Sequence, residues 1–165
     1  MMRITVPLEK ITALPHVGTF TVAEEHIDLM GHMNVRWYHS FFDDAAWAFL
    51  NTLGMTAEYY QANNTGGFAL KQFIQYIAEV RLGETVHIHS RVIGRSEKRM
   101  HSMHFMVNVS TDKLAATIEG LGAHADLSIR RTSPYPPHIV EKIDSYLTAH
   151  QQLDWEAPIS GAISP

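Results

Sequence analysis

The chain contains no cysteine, which excludes a disulfide framework, a thiolate nucleophile and any zinc site built on sulfur. Charged residues make up only 18% of it and the formal net charge is −4. It therefore lacks the basic excess that bulk nucleic-acid binding needs, and no such partner is expected. No stretch approaches the roughly 20 consecutive apolar residues of a membrane-spanning helix. The opening segment MMRITVPLEKITALP lacks the continuous apolar core of a signal peptide. A cytoplasmic protein without a membrane partner is expected. Apolar residues are abundant, at 45% of 165 residues, enough for the core of one ordinary domain. That domain is expected over residues 1–152, with a loose, turn-rich tail over 153–165.

Val17–Glu24 is rich in Val, Thr and Phe and reads as a strand. Asn34 is a good helix N-cap and Gly54 a good terminator, so a helix is expected from about Val35 to Leu53. Trp37, Phe41, Ala45, Ala48 and Leu53 mark one apolar face, while Phe42, Ala46, Trp47, Phe49 and Leu50 carry apolar surface far around the axis. A helix of that kind is buried on more than one side. Thr56–Gln61 reads as a short helix and Asn63–Gly67 as a loop. Strands are expected over Phe68–Val80, Glu84–Gly94, a stretch containing Met103, Phe105, Val107 and Val109, and Leu114–Arg131. The turns between them are Leu82-Gly83, Arg95–Lys98 and Ser110–Lys113. Gly120 and Gly122 inside the last strand imply a strong bend. A final helix is expected over His138–Gln151. One curved antiparallel sheet wrapped around one long central helix, an α+β fold, satisfies both the all-round apolar helix and the bent strands. Such a sheet leaves an edge open, and pairing two chains would cover it.

The junction between first strand and long helix reads EEHIDLMGHMN, Glu24 to Asn34. About four backbone N–H groups at a helix start lack intrahelical partners, and the dipole there favours negative charge. A substrate carbonyl placed over them would have its oxyanion stabilised as attack proceeds. Asp28 lies on the approaching loop, Gly31 permits close approach of the backbone, and His32 adds a titratable group. Together these are parts that acyl transfer requires. The same residues also fit a plain turn, with Asn34 as a cap and Asp28 accepting local N–H bonds. A carboxylate close to a helix N-terminus is a weak base, so Asp28 could instead serve as a nucleophile and form a mixed anhydride. Both roles stay open.

Asp28-x-x-Gly31-His32-x-Asn34, followed by Tyr38, Phe41, Phe42 and Ala45, resembles the signature of hot-dog-fold acyl-CoA thioesterases, in the 4-hydroxybenzoyl-CoA thioesterase-like branch. The stretch Tyr76–Thr85, YIAEVRLGET, and the segment Ser128–Pro136 extend the resemblance over about residues 17 to 136. The resemblance implies a hot-dog protomer that pairs into a homodimer, or a dimer of dimers, with active sites at the subunit interface. It implies hydrolysis of an acyl-CoA to CoA and a carboxylic acid, with Asp28 as the catalytic carboxylate. His32 and Asn34 would complete the catalytic set. Gly31, Met33, Val35 and Tyr38 would shape the substrate site, and amides near Met33–Val35 would polarise the carbonyl. Two departures bear on the acyl group: Val35 stands where many relatives carry a second Asn, and Asp43-Asp44-Ala45-Ala46-Trp47 where many carry a Glu-Ala-Arg-like stretch.

No metal or redox cofactor is implied, CoA entering only as part of the substrate. Its phosphates need cations, and Arg95, Lys98 and Arg99 cluster at an expected hairpin turn, with Arg130 and Arg131 at the end of the last strand. Solvated charge is the simpler reading for any one of them. Met100, Met103 and Met106 could line an adaptable acyl pocket, although Met103 also fits simple core packing. His87 and His89 share one strand face and His101 or His104 could come near from the next strand, but no carboxylate pattern completes a metal site and such histidines are expected to be solvated. Two other functions suit the same fold: a hydratase or dehydratase, disfavoured by Met33 after His32 and Val35 after Asn34, and a non-catalytic protein that binds acyl thioesters.

Overall fold

The computed structural model describes residues 6–165. In chain order the elements are α1 (Leu8–Thr12), β1 (His16–Thr21), a 3-10 turn (Glu24–His26), α2 (Val35–Thr52), α3 (Ala57–Asn63), β2 (Thr65–Tyr76), β3 (Thr85–Arg95), β4 (Arg99–Asn108), β5 (Lys113–Asp126), β6 (Arg131–Thr132) and α4 (Pro137–Gln151). The strands form one sheet in the order β1-β3-β4-β5-β2, and β6 pairs with the end of β5. The fold is the expected α+β class, a curled antiparallel sheet with one long helix. Among the described residues no helix is long and apolar enough to cross a membrane.

Several boundaries differ from those expected. The Asn63–Gly67 loop ends early, because Asn64 takes a left-handed conformation (φ 51°) that caps α3 and Thr65 already opens β2. β2 stops at Tyr76 rather than Val80. The strand expected to run to Arg131 ends at Asp126, where a turn closes back onto β6. In that turn the Ser128 backbone N–H and hydroxyl both donate to Asp126, and Arg130 adopts φ 53°. α1 was not foreseen; its one buried side chain is Ile11.

The backbone groups into two compact units. The first holds the described residues up to Ala48 with Ile74–Ser90 and His104–Ile118. Its core is the start of α2 against the sheet: Tyr38, Phe41, Phe42 and Ala45 pack with Val86, Ile88, Met106, Ala115, Ala116 and Ile118. Met33, Val22 and Val80 close the end of that core nearest the Asp28 loop. Phe42 is nearly inaccessible, and removing such a ring from a core typically costs about 3–5 kcal/mol.

The second unit holds Phe49–Phe73, Arg91–Met103 and Glu119–Pro165. Phe49 meets Tyr146 of α4 edge-to-face at 5.3 Å, and Ile139 and Ile143 of α4 are fully buried. The tail is held rather than loose. Arg91 donates to the carbonyls of Trp155 and His150 and stacks on the Trp155 ring at 4.3 Å. The Ser160 N–H donates to Glu119 at 2.6 Å, and Ile163 is buried.

Candidate functional site

The loop before α2 is a narrow turn tied by short-range bonds. Ile27 and Met33 form an antiparallel bridge, the Asp28 N–H donates to the His32 carbonyl at 3.1 Å, and the Gly31 N–H donates to the Asp28 carbonyl at 3.0 Å. Gly31 has φ +80°, the left-handed region that side chains disfavour, so glycine here is a requirement of the turn. The loop is pinned from outside by the Met33 N–H on the Val80 carbonyl (2.8 Å) and the Asn34 N–H on the His26 carbonyl (2.9 Å). His26 is itself buried, with its ring 4.4 Å from Trp37 and Nδ1 accepting the Ala23 N–H.

The motif residues meet at this turn. Asp28 Oδ1 accepts the Met30 N–H at 2.8 Å and lies 3.9 Å from His32 Nδ1. Asp28 Oδ2 faces the Asn34 side-chain amide at 3.5 Å, the outer limit of a hydrogen bond. The carboxylate is thus half-exposed, with one oxygen firmly held and the other close to free. Asn34 Oδ1 accepts the Arg36 N–H at 3.1 Å, a side-chain N-cap on α2. His32 Nδ1 carries its hydrogen toward the Met33 carbonyl at 3.2 Å.

The backbone donors divide sharply. Of the three amides expected near the carbonyl, those of Met33 and Asn34 are engaged within the fold, and Met33 is fully buried. Among the described residues no acceptor pairs with the Val35 N–H, at the first position of α2. Val35 is exposed. Tyr38 is buried, its hydroxyl donating to the Ala78 carbonyl at 3.3 Å and burial raising its pKa above the usual tyrosine value.

A family model of the thioesterase-like superfamily matches residues 22–143. The chain belongs to the thioesterase-like superfamily. It is 24% identical over 132 residues to a betainyl-CoA thioesterase of Pseudomonas aeruginosa, covering 80% of this chain and 83% of that one. It is 29% identical over 126 residues to an L-carnitine dehydrogenase/betainyl-CoA thioesterase of Agrobacterium fabrum, covering 76% of this chain. The match spans only 25% of that two-activity protein. A Staphylococcus aureus protein solved in complex with CoA has the same fold, with TM-score 0.82, 22% identity, and 92% and 96% of the two chains covered.

The cations expected to serve this thioesterase-superfamily chain are not equivalent. Arg95 is locked in a two-pronged pair with Asp144, its Nε 2.5 Å and an Nη 2.6 Å from the two carboxylate oxygens. The pairing raises the pKa of Arg95 and lowers that of Asp144. Lys98 is half-exposed and Arg99 exposed. Sequence reasoning passed over Arg36, whose guanidinium sits 4.8 Å over the Trp37 ring. It also passed over Leu29 and Met30, 102% and 79% exposed at the tip of the turn. Two apolar residues in a row inside an otherwise polar loop were the available signal.

The expectation of solvated strand histidines is corrected. His89, His101 and His104 are all buried, because both faces of β3 and β4 are covered. His101 Nε2 lies 2.8 Å from Glu119 Oε1, and His104 Nδ1 lies 2.6 Å from the Ser90 hydroxyl. Met100, Met103 and Met106 are buried as well, Met106 within the core cluster of the first unit.

Proposed function

We propose that the chain hydrolyses an acyl-CoA thioester, with Asp28 as the activating carboxylate and the Val35 N–H as a donor to the developing oxyanion. In the general-base form, Asp28 takes a proton from water as the oxygen attacks the thioester carbon. The tetrahedral oxyanion is held by the Val35 amide at the positive end of α2, and collapse breaks the C–S bond. The thiolate leaves and is protonated to CoA, and the acid is released. In the nucleophilic form an Asp28 oxygen attacks directly, CoA leaves first, and water then opens the mixed anhydride.

The observation that carries this reading is one loosely held carboxylate oxygen on the turn together with the unpaired amide at the first position of the helix that the turn leads into. Asn34 supports both: its Oδ1 caps α2 while its Nδ2 faces Asp28. The names of the curated relatives make betainyl-CoA the first acyl group to try. The active unit is a homodimer, able to pair further as a dimer of dimers, in the cytoplasm. β2 is the open edge of the sheet and carries exposed Leu70, Phe73 and Tyr76, with Ile77 exposed just beyond it, a long apolar edge that a second copy would cover.

The test is free-thiol release from betainyl, short, branched, aromatic and long acyl-CoAs, with wild type and Asp28→Asn side by side and binding measured separately. A loss of about 10²-fold or more in kcat with binding retained is expected. Equal rates in the two proteins would overturn the role of Asp28. Binding of the whole panel without thiol release from any member would leave an acyl-thioester-binding protein instead.

A further inference from the structure

Three imidazoles gather on one face of the sheet at its β1 edge. His87 and His89 are two apart on β3 and so point the same way, and His16 of β1 is directly paired with His89. The ring centroids are 4.7 Å apart for His16 and His87, 5.3 Å for His16 and His89, and 6.5 Å for His87 and His89. This is the face opposite Val86 and Ile88, which point into the core, and none of the three takes part in the chemistry proposed above.

Two of the rings have their hydrogen placed by a backbone carbonyl. His89 Nδ1 donates to the Leu14 carbonyl at 3.1 Å, so Nε2 carries the lone pair. That Nε2 is buried and has no hydrogen-bond partner, on a residue only 4% exposed. A buried acceptor left without a partner is rare and asks for an explanation. His16 Nε2 lies 2.9 Å from the Gly18 carbonyl and 3.0 Å from the Thr19 hydroxyl, so its hydrogen also faces a carbonyl and Nδ1 is the lone-pair nitrogen. A ring nitrogen that donates to a carbonyl while its opposite lone pair lies open is the arrangement found behind metal-ligating histidines.

We propose that His16, His87 and His89 form a three-histidine site for a divalent late transition-metal ion, which would staple the edge strand β1 to β3. The spacing fits. With metal–nitrogen bonds of about 2.0–2.1 Å, ring centroids lie about 3.2 Å from the metal and about 5 Å from each other in a tetrahedral set. The three observed separations bracket that value. Among the described residues no three such side chains already converge on one point. Closure therefore needs the half-exposed His87 to turn, since the one long separation is between His87 and His89, while His89 and His16 keep the bonds that hold them.

The experiment is titration of the full chain, free of any histidine tag, with Co²⁺, Ni²⁺, Zn²⁺ and Cu²⁺ separately, by calorimetry and by the visible spectrum of the Co²⁺ form. His16→Asn and His87→Asn are the test variants, chosen because neither side chain is buried, and exposed His138→Asn is the control. One metal per chain is expected, with Ni²⁺ tighter than Co²⁺ and Cu²⁺ tightest. Affinity should fall at least tenfold in each test variant and stay unchanged in the control. Wild-type Tm should rise with metal concentration as binding to the native state requires. Absence of a saturable one-to-one site, or equal affinity in wild type, His16→Asn and His87→Asn, overturns the proposal.

Discussion

Acidification should destabilise this protein through His104, and the size of the effect follows from its surroundings. The ring lies on β4 with Nδ1 2.6 Å from the Ser90 hydroxyl, and both residues are buried. Burial pushes His104 down from 6.5 to about 4. Above the unfolded value neither state holds the extra proton and the native state keeps its full stability. Between the two values only the unfolded chain binds the proton, so stability falls as pH falls. Below the folded value both states are protonated and the loss levels off. At about 1.4 kcal/mol per tenfold difference in proton affinity, the whole interval corresponds to about 3 kcal/mol, and about 2 kcal/mol of it is lost between about pH 7.5 and about pH 5. Burial also lowers His89, His124 and His150, so the wild type should lose more than His104 alone explains. The comparison is therefore with His104→Asn, which keeps polar atoms toward Ser90 but does not titrate in this range. Urea unfolding of both proteins, at fixed protein concentration and the two pH values, gives four midpoints. The variant is less stable at neutral pH, yet its loss on acidification should be smaller than the wild type's by about 2 kcal/mol. Equal losses in the two proteins would refute a neutral, desolvated His104.

The remaining predictions concern the turn, the cations and the tail. Asn34→Asp keeps an acceptor for the Arg36 N–H but removes the amide that faces Asp28; it should leave Tm nearly unchanged and lower kcat. Asn34→Ala should also lose about 1 kcal/mol of stability with the cap, measured by thermal unfolding. Arg95→Ala should leave KM for an acyl-CoA unchanged, since Asp144 already holds that guanidinium, whereas Lys98→Ala or Arg99→Ala should raise it; a KM rise confined to Arg95→Ala would reverse this assignment. Glu119→Ala leaves buried His101 Nε2 and the Ser160 N–H without their acceptor, and should cost about 1–3 kcal/mol. Limited proteolysis should then cut within the tail of that variant and spare the wild type.

The contacts of the turn explain why the sequence was informative there. Asp28 with Met30, Asp28 with Asn34, Asn34 with Arg36 and Gly31 with Asp28 are all bonds between near neighbours, and a motif is a record of such bonds. The long helix was legible for the same reason, since its start follows from the Asn34 cap and its end from Gly54, which has φ +87°. What failed was long-range pairing. A period-two pattern says that His87 and His89 share a face, but not what lies over that face. The Leu14 carbonyl covers His89, and in the second unit α4 and the tail cover the same strand at Arg91 and Val92 through His150 and Trp155. Arg95 read as a free cation because its partner Asp144 is 49 positions away. The end of β5 was hidden differently: Asp126, Ser128 and Arg130 make that turn without the glycine or proline that usually announces one.

The two kinds of information meet in the backbone donors of the site. Local reasoning offered Met33, Asn34 and Val35 as equivalent, because each N–H at a helix start lacks an intrahelical partner. Val80, remote in sequence, takes the Met33 N–H, and the carbonyl of His26 takes that of Asn34. These bonds fix the turn against the sheet and, of the three, leave only the Val35 N–H without an acceptor among the described residues. On the proposed reading, a helix start held this firmly would suit an oxyanion, since a donor already held in place need not reorganise as charge develops. The bonds that the sequence could not show are therefore the ones that decide which of its candidate amides stays unpaired.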